Sequence, residues 1–299
     1  VSIPFVYHPI YSVPFPAQHR FRMAKFRLLY EKLLQKNIIH KNNVLEPQPV
    51  AADIIEISHS KEYIDAFFNN KLDKTRAKKL GLPWSEQLAA RTKYSIAGTL
   101  LTTELALQHG IACHLAGGTH HSHFDFGSGF CIFNDLTIAA LTLVKKQLAD
   151  VIFILDCDVH QGDGTATILQ EYPNIFTCSI HCRNNFPLKK TESDLDIPLE
   201  KDIGDAEYLE ALQLALHKML EIEPDLVIYD AGVDVHVDDA LGKLAMTSQG
   251  IAARDYLVMK TCHEHHIPVA TVIGGGYHKD LDHLVERHCI VHEQAAKFA

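Results

Sequence analysis

Asp156, Asp158 and His160 alternate along the stretch Asp156-Cys157-Asp158-Val159-His160. In an extended segment alternate side chains point the same way, so these three can converge on one region. Carboxylate and imidazole are ligands that zinc accepts while keeping one position open. Asp234, in Asp230-Ala231-Gly232-Val233-Asp234, can supply a third ligand. Two carboxylates and one imidazole leave room at such an ion for a water and a substrate carbonyl. Each residue alone is equally well explained as a cap or turn residue; the metal reading rests on their combination.

Two further groups add acid–base chemistry. His120 and His121 follow Gly117-Gly118-Thr119, where glycines permit close backbone approach. A histidine paired with an aspartate has its tautomer fixed and its basicity raised. Asp156 and Asp163 are the natural partners, and the pair could divide the work between base and electrostatic stabiliser. Tyr277 directly follows Gly274-Gly275-Gly276. That run lacks the GxGxxG and Walker patterns of phosphate cradles, but a tyrosine hydroxyl held there could donate to a developing oxyanion.

These residues need elements to position them, and the sequence supplies strand ends. Residues 151–158 (VIFILDCD), 175–181 (IFTCSIH), 225–234 (DLVIYDAGVD) and 268–273 (PVATVI) are apolar runs rich in β-branched residues. Such runs suit a parallel sheet buried on both faces. His120 and His121 come after another strand-like run, ACHLAGG. Helices are expected from Ser85 as N-cap to Gly110 as stop, over 205–223 ending at Pro224, and over 248–266 and 280–297. The alternation predicts a doubly wound α/β sheet. Ligands of open parallel sheets bind beyond the carboxyl ends of the strands, where four separate runs deliver the polar residues. The segments 71–84 and 182–204 read as loops from their charge and proline content. With no internal repeat or long linker, residues 1–299 read as one domain.

Bulk properties set the limits. Of 299 residues, 47% are hydrophobic and 22% charged, as expected for a globular chain with a large core. The net charge of -9 argues against a surface built for nucleic acid, while a negative rim would attract basic substrates. Seven scattered cysteines without a CxxC pair predict reduced thiols in a cytoplasmic protein. Neither a secretory signal nor a membrane span is expected.

The longer motifs resemble the histone deacetylase family. Gly117-Gly118-Thr119-His120-His121 and Ser128-Gly129-Phe130-Cys131-Ile132-Phe133-Asn134-Asp135 look like its His-His and SGFCxxND segments. Asp156 to Gly164 is similar to its DxDxHxGDG stretch, and Asp234 and Gly274 to Tyr277 match later motifs. His19 to Met23 and His59 to Tyr63 match weaker N-terminal ones, so the likeness runs from about residue 7 to residue 290. It implies a single-domain fold around a central, mostly parallel sheet of eight strands. It also implies zinc on Asp158, His160 and Asp234. His121, paired with Asp163, would be the base and then the acid, and His120, paired with Asp156, an electrostatic partner. Tyr277 would polarise the substrate carbonyl. Phe130 and Phe186 would wall a channel for an acyl-lysine stem, with Arg20 also in the channel and Leu241 near its mouth. A structural potassium would use Asp156, Asp158, Ser179 and backbone oxygens of His160 and Ile180; a second monovalent site would use those of Leu169, Tyr172 and Ile175. The implied activity is removal of acyl groups, acetyl foremost, from lysine side chains or similar amines.

The chain departs from the family pattern in two places. Gln161 stands where many members carry a second histidine, as in the class IV subgroup and bacterial relatives. The 76–87 stretch, RAKKLGLPWSEQ, lacks the acidic residue that grips the substrate backbone in some members. Three rivals share the core: an acetylpolyamine hydrolase, a binuclear manganese hydrolase, which would need a second set of carboxylates, and an inactive binding module.

Overall fold

A computed structural model describes residues 3–299. In chain order the elements are β1 (Phe5–Val6), α1 (Lys25–Gln35), β2 (Val44–Leu45), α2 (Ala52–Ile55), α3 (Lys61–Phe68), α4 (Lys74–Leu80) and α5 (Glu86–His109). Then come β3 (Ile111–His114), α6 (Asp135–Lys145), β4 (Ile152–Asp156), α7 (Asp163–Leu169), β5 (Ile175–Cys182) and β6 (Leu195–Leu199). The chain closes with α8 (Asp205–Ile222), β7 (Leu226–Asp230), α9 (Ser248–Glu264), β8 (Val269–Val272) and α10 (Leu281–Ala295). Two 3-10 turns complete the set, Pro9–Tyr11 between β1 and α1 and Ala296–Phe298 after α10.

The strands form one sheet of eight in the order β2-β1-β3-β8-β7-β4-β5-β6, and every pairing is parallel. Parallel pairing requires a crossover between strands, and the helices that make it cover both faces. Alternation along the strands divides the core accordingly. Phe153, Leu155, Val227 and Tyr229 join one apolar cluster with side chains of α1, α8, α9 and α10. Ile152, Ile154, Ile228 and Val272 join another with α6 and the end of α5.

Local chemistry explains the boundaries. Ser85 Oγ accepts the Leu88 N–H at the start of α5, and Gly110 ends that helix at φ +83°. Asn134 caps α6 by accepting the Thr137 N–H at 3.1 Å. Two segments expected to be loops hold regular structure instead. In 71–84, α4 is capped by Asp73, whose Oδ1 accepts from Thr75 and Arg76, and by Gly81 in the left-handed region. Its sequence, KTRAKKL, is charged on nearly every side, so no apolar stripe marks it. In 182–204, β6 is a half-buried edge strand containing Pro198, and prolines in sheets belong at edges. Strands β1 and β2 have only two residues each, too short for any periodic signal.

The strands whose ends carry the chemical residues are the adjacent quartet β3-β8-β7-β4 at the centre of the sheet. Residues far apart in sequence therefore meet at one edge.

Candidate active site

Beyond β4 and β7, Asp158, His160 and Asp234 bring their ligand atoms within 4.8 Å of one another, and all three are buried. His160 Nδ1 lies 2.9 Å from Asp158 Oδ1 and 3.1 Å from Asp234 Oδ2. The backbone fixes the carboxylates: Asp158 Oδ1 accepts the His160 N–H at 2.9 Å and Asp234 Oδ1 the Val159 N–H at 2.9 Å. Asp234 Oδ2 is buried, and its approach to His160 Nδ1 is a charge contact without hydrogen-bond alignment, so the oxygen has no hydrogen-bond partner. Gly275 closes over the cluster at φ +53°, and a Cβ there would collide with the carboxylates of both Asp234 and Asp158. A compact N/O donor set with an orphaned carboxylate oxygen and a glycine-cleared approach fits a divalent ion such as zinc. Burial and Asp158 raise Asp234 to about 7, whereas the two carboxylates raise His160 to about 10 against the effect of burial. Protons and a metal would compete for these atoms.

The adjacent histidines pair as the sequence suggested. His120 Nδ1 lies 2.7 Å from Asp156 Oδ2, and His121 Nδ1 lies 2.6 Å from Asp163 Oδ1. His123 Nε2 holds the other oxygen of Asp163 at 3.1 Å. Burial opposes protonation of both neighbours, but the outcomes differ. His120, beside Asp156 and Asp158, is raised well above the ordinary histidine range. His121, close to His120 and facing one paired carboxylate, falls to about 4. Burial would raise Asp163, but the hydrogen bonds from His121 and His123 outweigh it and hold the group ionised. An ionised Asp163 can only accept, so His121 carries its proton on Nδ1 and leaves the Nε2 lone pair free.

A cleft of about 840 Å³ opens over these groups, lined by His121, His160, Asp163, Phe130, Phe186 and Tyr277 among others. The Phe186 ring stands edge-on to His121 at 4.8 Å, and Tyr277 lies between Phe130 at 5.9 Å and His160 at 6.2 Å. Phe130 has φ +68°, a left-handed conformation that costs a bulky residue energy and marks a constrained wall. Arg20 and Leu241 also line this cleft. His120 and Asp156 lie behind it; His120 instead borders an inner cavity of about 50 Å³ that shares Phe130 and Tyr277 with the cleft. The parallel register sets Asp156 beside Ser179, whose Oγ contacts His181 Nδ1 at 3.0 Å. The Leu169 and Tyr172 carbonyls each accept a backbone N–H, from Tyr172 and Ile175.

Several supporting residues carried no local signal. Asp239 accepts the Tyr277 N–H at 2.7 Å and those of Leu241 and Gly242 at 2.8 and 2.9 Å, tying the tyrosine to the Leu241 loop. Lys25, buried in α1, donates to the Gly275 carbonyl at 2.6 Å, and burial lowers it to about 8. Asp135 accepts the Thr119 and Gly118 N–H groups and so fixes the turn before the histidine pair. Gln161 Nε2 donates to Thr191 O at 2.6 Å and to Asp196 Oδ1 at 2.7 Å, and its Oε1 accepts the Thr191 N–H at 2.9 Å. Asp230 ends β7 fully buried with neither carboxylate oxygen paired, near His120 and Asp156. Burial and Asp156 raise it well above the carboxylate range. The rule that singled out Asp234, a carboxylate just past an apolar strand, could have found Asp230 as well.

Comparison with known proteins agrees with this geometry. The histone deacetylase domain matches residues 19–291. An uncharacterised protein of Picosynechococcus sp. is 48% identical over 296 residues, covering 99% of both chains. Acetoin utilization protein AcuC of Staphylococcus aureus is 29% identical over 285 residues, covering 88% of this chain and 73% of its own. The crystal structure of a histone deacetylase homologue complexed with SAHA superposes with a TM-score of 0.85 at 22% identity, over 99% of this chain and 84% of that one.

Proposed function

This chain belongs to the histone deacetylase family, and on that premise we propose that it is a zinc-dependent amide hydrolase removing acyl groups, acetyl foremost, from lysine side chains. One observation carries the reading: Asp158, His160 and Asp234 converge at the base of a cleft lined by His160, Tyr277 and the aspartate-paired His121, with the second pair, His120 and Asp156, directly behind it. We treat residues 1–299 as one catalytic domain. A structural potassium on Asp156, Asp158, Ser179 and the His160 and Ile180 carbonyls remains part of the proposal. All seven cysteines are free and buried, which favours a cytoplasmic location. No described helix is long and apolar enough to cross a membrane.

Zinc held by Asp158, His160 and Asp234 would supply Lewis-acid polarisation of the substrate carbonyl and of water. The remaining work falls to this chain's own side chains. Phe130 and Phe186 hold the aliphatic stem of the substrate between apolar faces and exclude water from the reacting amide. His121 is neutral at pH 7 and keeps Nε2 free, so it can take a proton from the attacking water and return it to the leaving amine. Asp163 orients that ring through Nδ1 and stabilises the cation that forms. His120, held by Asp156 through Nδ1, stands beside the site as an electrostatic partner for developing negative charge. Tyr277, still protonated, donates its hydroxyl to the oxygen on which that charge builds.

The test is turnover of an acetyl-lysine peptide with neutral flanks by zinc-loaded protein, with loss on chelation and recovery on zinc addition. Zinc-loaded, folded protein that leaves every acetyl-lysine and acetylamine substrate intact would make the chain a binding module instead.

A further inference from the structure

The mouth of the cleft carries five cationic side chains from three separate segments. Arg20 comes from the loop before α1, Lys78 and Lys79 from the last turn of α4, and Lys189 and Lys190 from the connection between β5 and β6. The cleft's one lining carboxylate, Asp163, is already bonded to His121 and His123. The rim is therefore positive on a chain whose net charge is -9. This reverses the negative rim that the overall charge had left open.

Local roles account for part of this group. Lys190 donates to the Asn185 and Pro187 carbonyls at 2.7 and 2.6 Å and thereby braces its own loop. Lys79 sits 3.3 Å over the Phe126 ring, and cations in the last turn of a helix complement its dipole. Arg20 and Lys189 have no such role. Both are exposed, and among the described residues neither they nor Lys78 and Lys79 pair with a carboxylate. Elsewhere on the surface such pairs are common, as in Lys36 with Glu286, Arg76 with Glu62 and Arg183 with Glu200. With 37 acidic residues against 28 basic ones, the lack of any such pair at the mouth is local.

We propose that the substrate presents anionic groups around its acylated amine, in the form of an acyl-lysine flanked by acidic side chains in a peptide or protein. The proposal rests on the deacylase reading above and names its substrate class. The 840 Å³ cleft lies at the upper end of the usual range for a ligand pocket and leaves space outside the channel for flanking residues. Beside the cations, Leu188 is 97% exposed and Phe186 40%, an apolar ledge that an extended chain would cover and a small amine would not. Cationic rims raise the encounter rate of anions and repel cations. This rim therefore disfavours acetylated polyamines and lysine-rich tails.

The experiment uses zinc-loaded protein and three peptides sharing a central acetyl-lysine, with acidic, neutral or basic flanks. Turnover is read as kcat/KM and binding as fluorescence anisotropy of labelled peptides. The expected order is acidic, neutral, basic, with about tenfold between the extremes at low salt and a gap that shrinks as ionic strength rises. Lys78→Glu with Lys189→Glu should invert the order. Lys146→Glu with Lys260→Glu, the same charge change on helix ends at the opposite edge of the sheet, should leave it intact. A basic-flanked peptide processed as well as the acidic one would overturn the proposal, as would an order insensitive to salt and to the rim variant. Turnover of an anionic small acetylamine with none of any peptide would overturn the peptide form. If neither the peptides, neutral flanks included, nor a small acetylamine is hydrolysed, the deacylase reading fails; the charge preference is then decided by anisotropy alone, where equal binding of the three peptides would overturn it.

Discussion

The floor and the mouth of the cleft are built in opposite ways. At the floor, the carboxyl groups of Asp156, Asp158, Asp230 and Asp234 are buried at or just beyond the ends of two adjacent central strands, crowded so closely that protons or cations must offset them. At the mouth, Arg20, Lys78, Lys79 and Lys189 project from loops and a short helix into solvent, and among the described residues none of them forms an ion pair with a carboxylate. In a low-dielectric interior each unpaired charge is costly, so a buried anionic floor calls for cations or protons and tolerates little change. In water the same number of charges is screened within a Debye length and acts mainly on encounter. Chemistry is concentrated where substitution is expensive, and selection where it is cheap.

That contrast orders the expected effects. The largest belongs to the floor: Asp234→Asn keeps the shape but removes a charged ligand, and should abolish activity together with stoichiometric zinc. Metal analysis of the purified variant checks this, and a fully zinc-loaded, fully active Asp234→Asn protein would remove Asp234 from the ligand set. Next comes the proton-transfer pair. His121→Ala should lose ~10²–10⁴ in kcat, the usual worth of general acid–base catalysis, and His120→Ala less. Equal and mild losses in both would place the base elsewhere. Tyr277→Phe should bind zinc normally and slow turnover by ~10²–10³, the cost of one oxyanion donor; unchanged kcat in that variant would exclude the hydroxyl from the reaction. The rim, at about tenfold between peptides of opposite charge, is the smallest effect and the one that salt should erase. A rim substitution costing as much as His121→Ala would dissolve the distinction.

The same contrast explains what could be read before the fold was known. Asp156, Asp158, His160 and Asp234 follow long β-branched runs, so the rule that strand ends share one edge brought them to one region; the expected extended segment is instead a bend beyond β4, and Asp156 groups with His120 and Asp230 while the other three form their own cluster. Asp156 and Asp163 stood out as natural partners of the histidine pair, but which aspartate meets which histidine came only from the family likeness. The rim could not be read this way. Arg20, Lys78 and Lys189 are separated by more than 160 residues in all and sit in segments without periodicity, one of which conceals a charged helix. Asp239 and Lys25 were equally silent, because their work is to hold the backbone of Tyr277 and Gly275, and a backbone partner leaves no pattern in sequence. The eight-stranded count came from family likeness; two-residue strands such as β1 carry too little pattern to declare themselves.

Gln161 couples floor and mouth during divergence. It directly follows His160, a proposed ligand, and its amide clamps Thr191 and Asp196, in the segment just after Lys189 and Lys190. A relative could change the charges at positions 189 and 190 without disturbing this clamp, because two of its three contacts are to the Thr191 backbone, but could not reroute the loop without supplying the amide with a new partner. Transplanting residues 185–196 between family members is thus expected to succeed only when position 161 travels with them. One amide ties the path of the rim loop to the backbone of the buried cluster, although the two lie on different layers of the molecule.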